Sequence, residues 1–416
     1  MDTITHGIVG ALAGKAFFSG FDFPSTSRSE TSVAESDPIA RVAITACTIG
    51  AIFPDIDVFA GPIARNPIAI IDWHRNITHS LVLLPVWALL LAGMTVPFAR
   101  WLRWKQLSFG KLAGIYAFGL ATHVFLDVVT NFGTMVWSPL QYSRLAWDWL
   151  YIVDLTLTGL ALVPQLVAWC YQDPAKFKRR AGPTWGGAAL AAFGGYLLAA
   201  SVGYAFSIWV VGVVSALVAA ALFVPAIHAV GFGWRRASWC RAGFVLVCVY
   251  LGLAATAHRQ ALVDTKDFAE SQHLQVESLA ALPLPPTATH WAAVISTPEG
   301  VWRRTFRVPG AKVERTQFFS DERLNPYVQE AKKLRDVQVY LWFARFPIWK
   351  VIHREGQTVA EVSDVRFFRE DQDTQESAGD RSSGTFFRAR RGTNGFAFDV
   401  VFDAQGQIVS HGFRKP

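Results

Sequence analysis

Six long apolar segments, separated by short polar loops, constrain this chain more than any other feature of its sequence. They lie at residues 81–99, 112–132, 150–169, 188–207, 208–230 and 243–257. Because a helix that crosses a bilayer needs roughly 20 apolar residues, these segments are candidate membrane spans. Two shorter segments, at 4–18 and 42–53, could cross with a tilt or enter as re-entrant helices. The sequence therefore predicts a mainly α-helical membrane protein, a polytopic bundle of six to eight membrane helices.

The composition divides the chain into two parts. Of the 416 residues, 52% are hydrophobic and only 17% are charged, which is too apolar for a typical soluble protein. Residues 1–259 hold 18 Lys/Arg and 12 Asp/Glu, whereas residues 260–416 hold 21 and 20. We therefore predict a membrane-embedded domain at 1–259, a linker at 260–288 and a small soluble domain outside the membrane at 289–416.

The second part carries the alternating pattern that is typical of strands. We predict strands at 291–296, 301–308, 337–343, 351–355, 358–363, 396–402 and 408–413. Residues 326–334 favour a short helix, and the polar stretch at 370–384 favours a loop. These elements predict an α+β fold for the soluble domain.

Basic residues indicate how the membrane helices are oriented. They concentrate in three loops between apolar segments: Arg100, Arg103, Lys105 and Lys111; Lys176, Lys178, Arg179 and Arg180; Arg235, Arg236 and Arg241. Such loops mark the cytoplasmic side. The helix at 81–99 then begins outside, the helix at 112–132 ends outside, and an even number of spans places the soluble domain on that outer side. In a bacterial inner membrane this side is the periplasm. Since the net charge of +7 arises mostly in these loops, we expect no nucleic-acid partner.

Histidines and carboxylates gather at the predicted outer ends of the apolar segments. The motifs are T-H-G at 5–7, P-D-I-D at 54–57, H-R-N-I-T-H-S at 74–80 and H-V-F-L-D at 123–127. Ionisable groups at a membrane boundary are costly and indicate function. Imidazole and carboxylate are also the ligands of catalytic divalent metals. His123 and Asp127 are four residues apart, which places both on one helix face.

The residues themselves favour a metal site, although several of them have an alternative role. We predict His79, His123 and Asp127 as metal ligands. Either Asp55 or Asp57 would complete the set, although both could be solvated cap residues. His6 could be a ligand or an interfacial polar residue. Two catalytic residues are predicted beside the ligands: His74 as a proton relay, and Arg75 to stabilise developing negative charge or to anchor the loop at the interface.

Taken in order, these motifs resemble the YdjM family of bacterial inner-membrane proteins. M-x-T-I-T-H-G, P-D-I-D, H-R-x-x-T-H-S and H-x-x-x-D-x-x-T carry the resemblance over about residues 1–170. Family members are described as LexA-binding, inner-membrane-associated metal-dependent hydrolases, so the resemblance implies hydrolysis without naming a substrate.

The same order of residues is similar, more distantly, to zinc-dependent phospholipase C and P1-type nucleases. That resemblance implies a shared set of metal ligands: His6, Asp55 or Asp57, His79, His123 and Asp127. Those enzymes have further ligands downstream, where this chain offers only Asp148 and Asp154 between 128 and 171. We therefore expect one or two metal ions here rather than three.

The sequence thus predicts an inner-membrane, metal-dependent hydrolase. Its substrate would be a phosphoester, lipid or envelope-derived, attacked by a metal-activated water. Zinc fits the mixed ligand set best, with manganese or iron as alternatives. The expected partners are membrane lipid and a small-molecule or lipid substrate. The alternative is a non-catalytic scaffold, or a metal or proton transporter, whose soluble tail binds a partner.

Overall fold

The computed structural model describes most of the chain. The described residues are 1–19, 38–64, 66, 68–101, 107–201, 207–227, 229–285, 288–310, 312–354, 356–368 and 396–414. The predicted loop at 370–384 lies outside the described residues, as do Arg103 and Lys105 of the first basic loop.

Ten α-helices make up the described part of the first 271 residues. They are α1 (Thr3–Phe17), α2 (Pro38–Ile52), α3 (Ala60–Ala64), α4 (Ala69–Asp72), α5 (Leu84–Trp101), α6 (Phe109–Val128), α7 (Leu155–Tyr171), α8 (Phe177–Ser201), α9 (Trp209–Ile227) and α10 (Arg236–Ser271). Short 3-10 turns follow α2 at Phe53–Phe59 and precede α5 at Ile77–His79. Every predicted apolar segment corresponds to one of these helices.

Five of these helical stretches are long and apolar enough to cross a membrane, counted over the described residues. They are Ile39–Ile63, Leu84–Trp101, Phe109–Val128, Trp209–Ile227 and Arg236–Ser271, and Leu155–Tyr171 is apolar but shorter. The prediction of a mainly helical, polytopic membrane protein is therefore confirmed.

Glycines allow α1, α2 and α6 to pack at unusually short range. A Cβ atom on Gly10 of α1 would come within 2.4 Å of the Ala51 Cβ, and one on Gly119 of α6 within 2.4 Å of the Cys47 carbonyl oxygen. Only a residue without a side chain fits such contacts, because packed interiors leave no spare volume. This packing fixes the second half of α2 against the middle of α6.

The C-terminal part contains two four-stranded antiparallel sheets, each with its strands in sequence order. The first sheet is β1 (Ser278–Pro283), β2 (His290–Thr297), β3 (Gly300–Arg307) and β4 (Lys312–Ser320). The second is β5 (Pro347–Arg354), β6 (Gln357–Asp364), β7 (Phe398–Phe402) and β8 (Ile408–Phe413). Between the sheets lie α11 (Pro326–Ala331) and α12 (Arg335–Phe343). The α+β prediction is confirmed.

The prediction of a strand at 337–343 is wrong, because these residues form α12. Their alternation in sequence is typical of a strand, but the side chains that are buried recur every three residues, at Val337, Tyr340 and Phe343. That spacing selects one face of a helix, and this face packs into the core of the second sheet.

The predicted linker at 260–288 is largely regular structure. Helix α10 has 36 residues, about 54 Å at 1.5 Å per residue, so it extends well beyond a bilayer core of about 30 Å. Its last turns bury Ala261 and Phe268 against the first sheet. Strand β1 pairs with β2 although its sequence, S-L-A-A-L-P, lacks the β-branched residues that indicate a strand. Strand β4 was also not predicted.

The second sheet docks on one end of the helical bundle. Phe132, just after α6, and Ile71 of α4 share a core with Phe343 and neighbouring aromatic residues of the C-terminal part. The buried Arg366 guanidinium donates a hydrogen bond of 3.2 Å to the Asn131 carbonyl oxygen. The C-terminal part therefore covers the end of the bundle at which α6 ends.

Candidate metal centre

Four buried side chains meet where α2 and α6 end. Asp55 comes from the 3-10 turn after α2, His79 from the turn before α5, and His123 and Asp127 from the last two turns of α6. One nitrogen or oxygen atom of each lies within 4.8 Å of the corresponding atoms of the other three. Three of the four are completely buried and Asp55 nearly so. The sequence motifs that supply them are thus brought together.

The facing atoms are two imidazole nitrogens and two carboxylate oxygens. His79 Nε2 lies 3.2 Å from Asp127 Oδ2 and 3.5 Å from Asp55 Oδ1. His123 Nε2 lies 3.0 Å from His79 Nε2 and 3.4 Å from Asp127 Oδ2. Asp127 Oδ2 is buried and faces both ring nitrogens. Two nitrogens with two carboxylate oxygens form a donor set that suits a divalent cation.

Local structure orients Asp55 and His123. Pro54 ends α2 and opens the 3-10 turn that carries Asp55, since proline favours a first helical position. His123 Nδ1 donates a 2.7 Å hydrogen bond to the Ala51 carbonyl oxygen, which can only accept. This bond fixes the proton on Nδ1 and leaves the His123 Nε2 lone pair facing the cluster.

Asp57 belongs to a second group, with His74 and His79. Its Oδ1 accepts a 2.7 Å hydrogen bond from His74 Nδ1. Its Oδ2 accepts bonds from the Arg75 backbone N–H at 3.1 Å and the Thr78 hydroxyl at 2.7 Å, and lies 3.2 Å from His79 Nδ1. Asp57 therefore holds the H-R-N-I-T-H loop and contacts the far nitrogen of His79, while Asp55 faces the cluster itself.

His6 and Arg75 surround Asp127 on its other side. His6 Nε2 lies 3.2 Å from Asp127 Oδ1, and its ring stacks on His123 with 3.6 Å between ring centroids. Arg75 Nη2 lies 2.9 Å from the same oxygen, and Arg75 is itself buried. The His6 Nδ1 atom is buried without a hydrogen-bond partner among the residues that the structure describes. Both residues thus lie beside the four-residue group rather than within it.

The pKa values of the two histidines in the H-R-N-I-T-H loop shift in opposite directions. Burial favours a neutral His79 ring, but Asp127, Asp55 and Asp57 outweigh burial and raise the pKa of His79 to about 10. Burial lowers the pKa of His74, and the Asp57 carboxylate only partly opposes this shift. In the metal-free site, both ring nitrogens of His79 are therefore protonated and the ring is positively charged.

An open groove of about 570 Å³ reaches the second group from outside. Asp57 and His74 form its polar end, and its other lining residues are Val58, Gly61, Pro62, Asn66, Ala69 and Ile70. The neighbouring Phe59 and Ile63 are exposed large apolar side chains within or at the end of the apolar stretch Ile39–Ile63. The groove is therefore mostly apolar and opens beside a candidate membrane span.

The two downstream acids do not join the cluster. Asp148 pairs with Arg345 at 2.8 Å. Asp154 caps α7 through the Leu157 N–H and accepts a 2.8 Å hydrogen bond from Tyr250. Both roles are structural, one between the two parts of the chain and one within the bundle.

Sequence reasoning missed three contributors to the site. The buried Met1 amino group contacts Asp127 Oδ1. Thr3 Oγ1 donates a 2.5 Å hydrogen bond to Asp55 Oδ2, and the Ala51 carbonyl orients His123. A threonine in the M-x-T-I-T-H-G motif was a detectable signal. A backbone carbonyl has none, because any residue type at position 51 would offer it.

Comparison with known proteins gives one family match. The sequence model of the YdjM inner membrane protein family matches residues 1–208, which includes every residue of the cluster. Neither a curated protein nor a solved structure gives a significant match.

Proposed function

Because this chain belongs to the YdjM inner membrane protein family, we propose that its buried cluster is the metal centre of a membrane-embedded hydrolase. Asp55, His79, His123 and Asp127 would hold one divalent cation, with zinc the best fit to two imidazoles and two carboxylates. The observation that carries the proposal is the convergence of their four ligand atoms within 4.8 Å in a buried place.

The arrangement around the cluster supports a cation. Burying two carboxylates so close together is costly unless positive charge lies between them. Asp55 Oδ1 and Asp127 Oδ2 both lie within 3.5 Å of the same two imidazole nitrogens. His123 and His79 each have their second nitrogen against an oxygen atom, of Ala51 and Asp57 respectively. Such outer contacts orient metal-binding histidines in general.

The proposed reaction is hydrolysis of a phosphoester. When bound, a divalent cation activates water and stabilises negative charge on the phosphoryl group. Arg75 holds Asp127 in position through its 2.9 Å contact, and its guanidinium adds positive charge beside the developing negative charge. His74 holds its Nδ1 proton toward Asp57 and lines the groove, so its Nε2 can accept a proton there.

The groove supports a lipid substrate. Its lining is apolar except at Asp57, Asn66 and His74, and exposed apolar residues surround its mouth. An acyl or isoprenoid chain would lie along the apolar part, with its phosphoester at the polar end. Because positive loops favour the cytoplasmic side, the site and the C-terminal part would face the periplasm.

Metal analysis with paired variants tests the proposal. We expect purified protein in detergent to hold about one zinc per chain, and His123→Ala and Asp127→Asn to lose it while keeping the elution volume and melting curve of a folded protein. His411→Ala, a histidine in strand β8, is the matched control. Hydrolysis of bis-p-nitrophenyl phosphate and of a phospholipid should fall at least about a hundredfold in both site variants, because the metal is lost.

Two outcomes would favour the rival functions. A metal content that neither substitution changes would contradict the proposed metal centre and favour a scaffold. Metal that binds but supports no hydrolysis, together with metal uptake by proteoliposomes, identifies a transporter.

A further inference from the structure

A second cleft, of about 420 Å³, lies between the H-R-N-I-T-H loop and the C-terminal part. The bundle contributes Asp72, Asn76 and Tyr142, and helix α12 contributes Arg335, Gln338 and Trp342. This volume is within the roughly 300–1,000 Å³ range of small-molecule sites. Neither part of the chain forms the cleft alone.

The lining combines exposed aromatic rings with planar polar side chains. Trp342 is 43% exposed and Tyr142 is 51% exposed, although Trp342 is held from one side by the Arg144 guanidinium, 5.2 Å from its ring centroid. Around these rings stand the amides of Asn76 and Gln338. Ring faces attract the C–H face of a pyranose. Asn76 Oδ1 accepts from Ser138 Oγ and Gln338 Nε2 donates to the Lys332 carbonyl oxygen. A ligand hydroxyl would therefore accept from Asn76 Nδ2 and donate to Gln338 Oε1.

Charge in the cleft argues against an anion as the ligand. Arg335 lies 3.9 Å from the Asp72 carboxylate, which balances its charge. The nearby Arg144 directs its guanidinium to the carbonyl oxygens of Gly133, Ile71 and His74. A neutral, hydroxyl-rich ligand therefore fits better than a phosphate or an acidic peptide.

We propose that this cleft is a saccharide-binding subsite. Met135 also lines the cleft, and its N–H donates a 2.9 Å hydrogen bond to the Arg75 carbonyl oxygen in the metal-site loop. Ser138 Oγ donates to Asn76 Oδ1 in the same loop. The saccharide is the polar part of the substrate, while the apolar groove on the other side of the loop receives its lipid part. That assignment to the substrate rests on the proposed function, but saccharide binding itself does not.

Calorimetry on the full chain in detergent, with saturation-transfer NMR, tests the subsite. The probes are di-N-acetylchitobiose, cellobiose and maltose, with no added metal. We expect at least one to bind, and Trp342→Ala to weaken binding about tenfold, because it removes the stacking ring. Trp342→Phe keeps a ring and should retain most of the affinity. Phe318→Ala is the matched control, since Phe318 is also 43% exposed but lies on β4.

Failure of this proposal is distinguishable from failure of the hydrolase. His123→Ala, which is expected to lose metal and hydrolysis, should bind the saccharide as the unaltered protein does. If none of the three probes binds, or if Trp342→Ala binds as tightly as the unaltered protein, the subsite is wrong. A Trp342→Ala protein that no longer elutes as a folded species is replaced by Gln338→Ala, for which the same weakening is expected.

Discussion

At the scale of single residues, the two aspartates of P-D-I-D have different surroundings despite their spacing of two. Asp55 faces the cluster through Oδ1, 3.5 Å from both His79 and His123. The two carboxylate oxygens of Asp57 instead accept hydrogen bonds from the loop that follows. The sequence could not separate them, because the difference depends on where residues 74–79 fold back. The P-D-I-D motif alone shows that two carboxylates are present, but not which of them faces the cluster.

The first prediction separates these aspartates by substitution. Asp55→Asn should abolish stoichiometric metal, because it removes a charged ligand. Asp57→Asn should keep one metal per chain but weaken its affinity about 10- to 100-fold, as losing an outer contact to a ligand histidine typically does. Competition with a chelator of known affinity measures both. Equal losses in the two variants would contradict the assignment.

The second prediction concerns the proton on His79. Because the metal-free pKa of His79 is about 10, the ring is charged below that pH, and a metal must displace one proton to use Nε2. The apparent metal affinity should therefore rise about tenfold per pH unit between roughly pH 6 and 9. Calorimetry in buffers of different ionisation enthalpy counts the released proton. An affinity that is flat over this range would mean that the free ring is neutral.

At the scale of elements, helix packing sets the distance between the aspartate turn and α6. The sequence predicted the helices well, since the length of an uninterrupted apolar segment indicates a membrane helix directly. It gave no sign of which glycines mark helix contacts. Gly119 faces the Cys47 carbonyl closely, whereas an added Cβ on Gly114, in the same helix, would meet no atom of the described residues within 4 Å. Such contacts depend on tertiary packing, which local patterns do not encode.

The third prediction uses this pair of glycines. Gly119→Ala should push α2 away from α6, lower unfolding stability by about 1–3 kcal/mol through overpacking, and weaken metal binding. Gly114→Ala should be neutral or slightly stabilising, since a helix is more stable with alanine than with glycine at an interior position, by roughly 1 kcal/mol. Thermal melts in detergent and chelator competition give both quantities. Similar behaviour of the two variants would show that α2–α6 contact does not position Asp55.

At the scale of the whole molecule, the C-terminal part closes over the end of the bundle that carries the cluster. Arg366 reaches the Asn131 carbonyl, four residues after Asp127, and Arg345 pairs with Asp148. Residue patterns predicted an α+β C-terminal part, yet they could not reveal its docking. Phe132 follows a membrane helix and reads as part of it, but it packs among aromatic residues more than 200 positions away. Contacts that are distant in sequence leave no periodic signal.

The last prediction locates this end of the molecule relative to the bilayer. The basic residues Lys176, Lys178 and Arg180 lie at the junction of α7 and α8, at the opposite end of α7 from the cluster. In a background with Cys248→Ala, we expect Leu324→Cys, at a position 86% exposed on the C-terminal part, to react with a membrane-impermeant maleimide in whole cells. Lys178→Cys should react only after lysis, because positive loops stay in the cytoplasm.

The same labelling experiment decides where the substrate comes from. Since docking ties the C-terminal part to the cluster, label on Leu324→Cys also places the metal centre on the outer side and requires a substrate that is reachable from the periplasmic leaflet. The reverse pattern would put the centre in the cytoplasm and contradict the orientation inferred from the three basic loops. The buried residues Cys47, Cys170 and Cys240 should stay unlabelled in both variants, which makes the parent background the control.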